Sequence, residues 1–276
     1  MTGRLIKYEI KSGMRLMTVI WAALIAASIL FSISIHVLGN IFHDGTPGLG
    51  VFLAIVEIVT GLMYFAVFVA LIVATLMIVI MRFYKGLLGD EGYLMHTLPV
   101  RAWQLITAKG IVAAMVVIIS VITAFISLMI LAGGGGIGML PAVWDFMGRI
   151  WDEDPRYILV MAEVIILIVL SVLKSIYQIY AALAIGQLAN KHRILLALGA
   201  YIGMSMLVSA IFMTLAVVAD NVGFMGWLGT MFADVENDVF SVSQMAVASF
   251  FLMTAVQLAA FHVITERILS LRLNLQ

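Results

Sequence analysis

The chain has 276 residues, 64% of them hydrophobic and 11% charged, with a formal net charge of zero and no cysteine. Its mean hydropathy is +1.18. A soluble domain with this balance leaves large apolar patches in water and aggregates, so lipid is the solvent that suits it, and the missing cysteines exclude disulfides and thiolate metal sites.

The apolar runs outlast the roughly 20 residues that cross a hydrocarbon core of about 30 Å. Spanning segments must satisfy their own backbone polar groups, which predicts helices; the short alternating strands of a membrane barrel are not seen. The expected fold class is an all-α polytopic membrane protein. It has six transmembrane helices, both termini cytoplasmic and an amphipathic N-terminal interfacial helix, in one domain over 1–276.

In chain order, residues 1–15 are amphipathic. Arg4, Lys7, Lys11 and Arg15 recur at helical spacing, while Ile6, Ile10, Met14 and Met17 take another face. Such a helix lies in the membrane interface with its basic face toward anionic headgroups. It serves as a surface anchor, or as a lever joining a cytoplasmic partner to the first span. The first span is expected at about 16–39; its apolar run reaches Leu38, too long for the core of a cleaved signal peptide. A turn-rich loop with Asp44-Gly45 and Pro47-Gly48 leads to span two at about 55–81.

Residues 82–107 form a cytoplasmic loop dense in charge, glycine and aromatic residues. Asp90-Glu91 sits between Gly89 and Gly92, followed by Tyr93-Leu94 and then Leu98-Pro99. This reads as a short helical turn with an acidic tip, ended by a proline that disfavours helix at the residue before it. Exposed Tyr, Leu and carboxylate together make a docking knob. Span three is expected at 108–132. The run Gly133-Gly134-Gly135-Gly136-Ile137-Gly138 then reads as a hinge into a short interfacial helix carrying Trp144 and Trp151. Spans four, five and six are expected at 157–187, 194–219 and 242–265, with residues 220–240 dipping into the outer interface or forming a small cap.

Orientation follows from where Lys and Arg fall. Twelve of the 15 lie on the side of the termini and the 82–107 loop, two (Arg149 and Arg156) on the other, and Lys174 within span four. The outer loops are acidic. The chain is expected to be N-in and C-in.

No catalytic residue is expected. The five histidines are scattered over different segments without the i, i+4 spacing of a zinc-binding helix, no serine sits in a nucleophile elbow, and there is no Walker A sequence. No metal and no nucleic-acid partner is expected either. Intramembrane ionisable groups are costly and are functional candidates by default. Glu57 and Glu163 lie near the outer starts of spans two and four. Lys174 lies near the middle of a fourth helix read as about 50 Å long at 1.5 Å per residue. Lys174, Tyr177 and Gln178 at i, i+3 and i+4 form one polar stripe that should face protein or water. Lys174 is either a structural cation or part of a substrate path or subunit contact.

The stretch Phe83-Tyr84-Lys85-Gly86-Leu87-Leu88-Gly89-Asp90-Glu91-Gly92-Tyr93-Leu94-Met95-His96-Thr97-Leu98-Pro99-Val100 after span two resembles the permease subunits of bacterial ATP-binding-cassette (ABC) exporters with six spans. Ala184-Ile185-Gly186-Gln187-Leu188-Ala189-Asn190-Lys191-His192-Arg193 after span four and Leu5-Ile6-Lys7-Tyr8-Glu9-Ile10-Lys11 near the N-terminus are similar to theirs as well. The resemblance implies a multi-pass permease domain in a bacterial cell membrane that dimerises with a second permease chain, the same or related. It also implies that the permease recruits separate cytoplasmic ABC ATPase subunits. ATP and Mg would be bound by those partners and no cofactor by this chain. Asp90, Glu91, Gly92, Tyr93 and Leu94 would form the coupling helix seated in the ATPase. Gln187, Asn190, Lys191 and Arg193 would make a second cytoplasmic contact, and residues 220–240 would close an outer gate. Two rival readings stay open: an ion-coupled secondary transporter, and a non-transporting membrane sensor. The 19 methionines suit an adaptable apolar surface but name no substrate.

Overall fold

A computed structural model of the chain describes residues 2–38, 47–88, 102–132, 155–189, 191–223 and 239–271, together with positions 141, 144, 145, 148, 149 and 151. Among these residues the structure is helical, with no strand. Six long helices follow in order: α1 (Thr2–Ile33), α2 (Pro47–Phe83), α3 (Ala102–Leu131), α4 (Tyr157–Gly186), α5 (Arg193–Asn221) and α6 (Val239–Leu271). Each contains a segment long and apolar enough to cross a membrane. One π-helical turn extends α1 (Ser34–Leu38) and another extends α2 (Tyr84–Leu88).

All the helices but α4 overrun the expected spans at one end or both. Residues 1–15 are not set apart by a break; α1 runs through Arg15 without interruption, about 48 Å at 1.5 Å per residue. Helix α2 begins eight residues before the expected position, at Pro47, where a missing N–H and a fixed φ suit a first helical turn. Helix α3 begins at Ala102 rather than at 108. Helix α4 stops at Gly186, short of Asn190, so it measures about 45 Å rather than 50 Å. Lys174 remains near its midpoint, about 4 Å toward the C-terminal end.

The chain divides into two compact units, Met1–Val79 with Ile111–Glu153, and Ile80–Gly110 with Asp154–Gln276. In the first unit, α1 and α2 pack through Leu24, Ala27, Tyr64 and Leu71. Phe31 lies over Gly61, where a Cβ would come within 3.0 Å of the ring. Polar side chains are paired across helices: Trp21 Nε1 donates to Ser120 Oγ at 3.0 Å, Thr75 Oγ1 donates to the same oxygen at 3.1 Å, and the Tyr64 and Ser127 hydroxyls are 3.1 Å apart. Hydrocarbon offers no alternative partner, so such bonds select the helix pairing.

In the second unit, α4 packs against α6 and α5. Its buried face carries Ala181, Ala182, Ala184 and Gly186, small residues that let helix backbones approach. Helix α5 buries only Ala197. Ile194 is 81% exposed and Met213 72%. With no hydrophobic drive between helices in lipid, such a surface is at no disadvantage there. Positions 141, 144, 145, 148, 149 and 151 are helical, and Trp144 and Trp151 are exposed, in keeping with the short helix expected there. The glycine run 133–138 and residues 224–238 of the expected cap lie outside the described residues.

Candidate functional site

The acidic tip, Asp90, Glu91, Gly92, Tyr93 and Leu94, lies outside the described residues. Its root does not. The π turn carries one extra residue per turn and re-aims the chain as it leaves α2, a device common at functional sites. Phe83 and Leu87 are buried at this exit. The Phe83 ring stacks on Tyr180 of α4, with centroids 4.0 Å apart and planes 14° from parallel. The Tyr180 hydroxyl donates to the Lys109 carbonyl of α3 at 3.4 Å. Lys109 is itself buried, and its ammonium donates to the Arg82 carbonyl at 3.4 Å. That ammonium occupies the space beside Gly86 where any Cβ would stand.

Two further packings complete the root. A Cβ on Gly110 would come within 2.7 Å of the Tyr177 hydroxyl, so glycine is what lets α3 and α4 close here. Tyr177 meets Tyr180 and His262 of α6 edge-on, at 5.9 and 5.2 Å. The two ends of the 82–110 loop are thus bound to each other and to α4 and α6 by aromatic contacts and a cation–carbonyl bond. Chemically this is a mechanical joint, and among the described residues no group of His, Asp and Glu is arranged to hold a metal.

The expected polar stripe divides. Tyr177 belongs to the joint, while Gln178 donates from Nε2 to Ser205 Oγ on α5 at 2.7 Å. Lys174 is half-buried and has no hydrogen-bond or ion-pair partner among the described residues. Glu163 accepts from Gln244 Nε2 of α6 at 3.2 Å, and Glu57 is exposed. Arg4, Lys7 and Lys11 lie on α1 with side chains outside the described residues; Arg15 is exposed.

At the α4–α5 connection, Gly186 sits so close to α5 that a Cβ would be 2.7 Å from both Ala197 Cβ and the Arg193 carbonyl. His192 turns the chain with φ 59° and ψ 42°, left-handed geometry that is uncommon outside glycine and in which histidine is enriched. Gln187 is half-buried, Lys191 and Arg193 are exposed, and Asn190 lies outside the described residues. An open groove of about 460 Å³ runs beside this turn, with Lys191 and His192 at its mouth and Leu195, Leu196 and Gly199 along its length.

Sequence reasoning placed Lys109 among the cytoplasmic charges, Phe83 at the start of the resembling stretch and His262 among the scattered histidines, and did not identify Tyr180, Ser205 or Gln244. The available signal was the i, i+3 repeat of Tyr177 and Tyr180, which predicts one aromatic face on α4 but not its partners. No family model matches this chain, and neither a curated protein nor a solved structure matches it.

Proposed function

We propose that this chain is the transmembrane subunit of an ABC transporter, an exporter of a bacterial cell membrane, paired with a second permease chain and driven by a separate cytoplasmic ATPase. The observation that supports this reading best is the joint beneath the 82–110 loop. A loop that resembles a coupling helix leaves the membrane from a root in which Phe83, Leu87 and Lys109 are buried beside Tyr180. Displacement of such a loop passes directly into α3, α4 and α6. ATP-driven closure of the ATPase pair would then bias the helices between inward- and outward-facing states.

The Lys/Arg asymmetry supports a cytoplasmic location for both termini, the 82–110 loop and the α4–α5 turn. The N-terminal part of α1, continuous with the first span, would carry Arg4, Lys7, Lys11 and Arg15 to the cytoplasmic headgroup region. Gln187, Asn190, Lys191 and Arg193 would make a second cytoplasmic contact with the ATPase.

The test is co-purification. The tagged chain, co-expressed with the cassette ATPase encoded nearest to it and extracted in mild detergent, should retain that ATPase in equimolar amount. The Asp90→Lys, Glu91→Lys double variant should insert normally and lose it. Purification of the chain alone beside every neighbouring ATPase would overturn the reading.

A further inference from the structure

We propose that the groove at the α4–α5 turn is a seat for one anionic phospholipid, its phosphate held by Lys191 and His192 and its acyl chain lying along Leu195, Leu196 and Gly199. The proposal stands on the geometry of the turn and does not depend on the ATPase reading.

Among the described residues the charge at the mouth has no ion-pair partner. Lys191, His192 and Arg193 are consecutive and exposed, and the sequence from 164 to 219 contains no Asp or Glu. Lys191 has no hydrogen-bond or ion-pair partner among the described residues. The wall of the groove, by contrast, is apolar. It runs from the turn down to Gly199 and Ala200, about 10 Å along α5 from Arg193. That is the depth over which a bilayer changes from headgroup to hydrocarbon. Further along α5 the surface continues into Ile202 and Met206, 49% and 68% exposed, so a chain leaving the groove passes on over apolar side chains.

An occupant must therefore offer an anionic head at the interface and an apolar tail below it, joined at the distance a glycerophospholipid provides. A soluble protein partner satisfies the first condition but not the second. Basic pockets at the ends of membrane helices hold anionic headgroups for the same electrostatic reason. Gly199 gives the groove its depth: a Cβ there meets nothing within 4 Å, so the space is open and a larger side chain fills it without displacing protein atoms.

The absence of cysteine makes the test direct. An Ile202→Cys variant of the full chain, labelled with a fluorophore, is reconstituted into phosphatidylcholine vesicles containing an equal small fraction of doxyl-labelled phosphatidylglycerol or doxyl-labelled phosphatidylcholine. Phosphatidylglycerol should be enriched at the label by about five-fold, the bias of roughly one cation close to an anionic headgroup. A label at Leu215→Cys, toward the other end of α5, should give equal quenching by the two lipids. Lys191→Gln with His192→Gln should abolish the preference by removing the head contact, and Gly199→Leu should abolish it by filling the tail site. Equal quenching at position 202 in the parent chain, no quenching by either lipid, or a preference undiminished in either variant would overturn the proposal.

Discussion

Truncating Phe83 and Tyr180 separately and together measures whether the loop root is fastened to α4. Both side chains are fully buried and their rings lie 4.0 Å apart. In lipid the transfer term that dominates core truncations in water largely vanishes, because hydrocarbon is as apolar as the protein interior. The cavity term remains. Removing a ring leaves roughly 100 Å³, which at ~24 cal/mol per Å³ costs about 2.4 kcal/mol for either single variant. Tyr180→Ala also frees the Lys109 carbonyl, worth about 1 kcal/mol more. The stacked pair itself is worth about 0.5–1.5 kcal/mol beyond packing, so the double variant should be less destabilised than the sum of the singles by about that amount. Unfolding of the four proteins in mixed micelles, followed by intrinsic fluorescence, yields the cycle. A coupling energy within about 0.3 kcal/mol of zero, the scatter of independent sites, would refute the joint.

Lys174→Met should stabilise the subunit in the same assay by about 1–3 kcal/mol, because a cation without a partner near mid-span is costly; no gain would mean that the ammonium already has a counter-group. Gly186→Val should destabilise by about 1–3 kcal/mol, since the 2.7 Å approaches of Ala197 and the Arg193 carbonyl involve atoms that cannot swing away. The matched control, Gly199→Ala, adds its Cβ to open space and should stabilise by up to about 1 kcal/mol through helix propensity. Equal effects at the two glycines would contradict the packing at the turn. Gln244→Leu should cost about 1–3 kcal/mol by leaving the Glu163 carboxylate without its donor, and adding Glu163→Leu should recover most of it. Failure of that rescue would mean that the pair contributes nothing.

Much of the architecture was legible in the residues. Six apolar stretches became six helices because lipid leaves a spanning chain no other way to satisfy its backbone. Boundaries were less legible. Reading α3 from 108 treated Trp103 and Gln104 as loop and counted Lys109 among the cytoplasmic charges, yet α3 begins at Ala102 and Lys109 is buried. A buried lysine reads as a surface charge in sequence because hydropathy counts its ammonium, whereas the fold buries it with a bond to the Arg82 carbonyl 27 residues earlier. Helix α4 ends at Gly186, one residue before the end of the expected span, and the chain then turns through His192 with left-handed backbone.

Composition and periodicity by themselves determined the solvent, the number of spans and which faces carry polar groups, since hydropathy and helical spacing are properties of a single segment. Tertiary structure alone decided which polar groups meet. Spacing set Lys174, Tyr177 and Gln178 on one stripe, but packing sent Tyr177 to His262 and Gln178 to Ser205 and left Lys174 with neither. The same holds for the loop root, where Phe83, Gly86, Lys109 and Tyr180 come from three helices and the π turn. A residue's face is fixed by its own helix, but its partner is fixed only when two helices are brought within a few ångströms of each other.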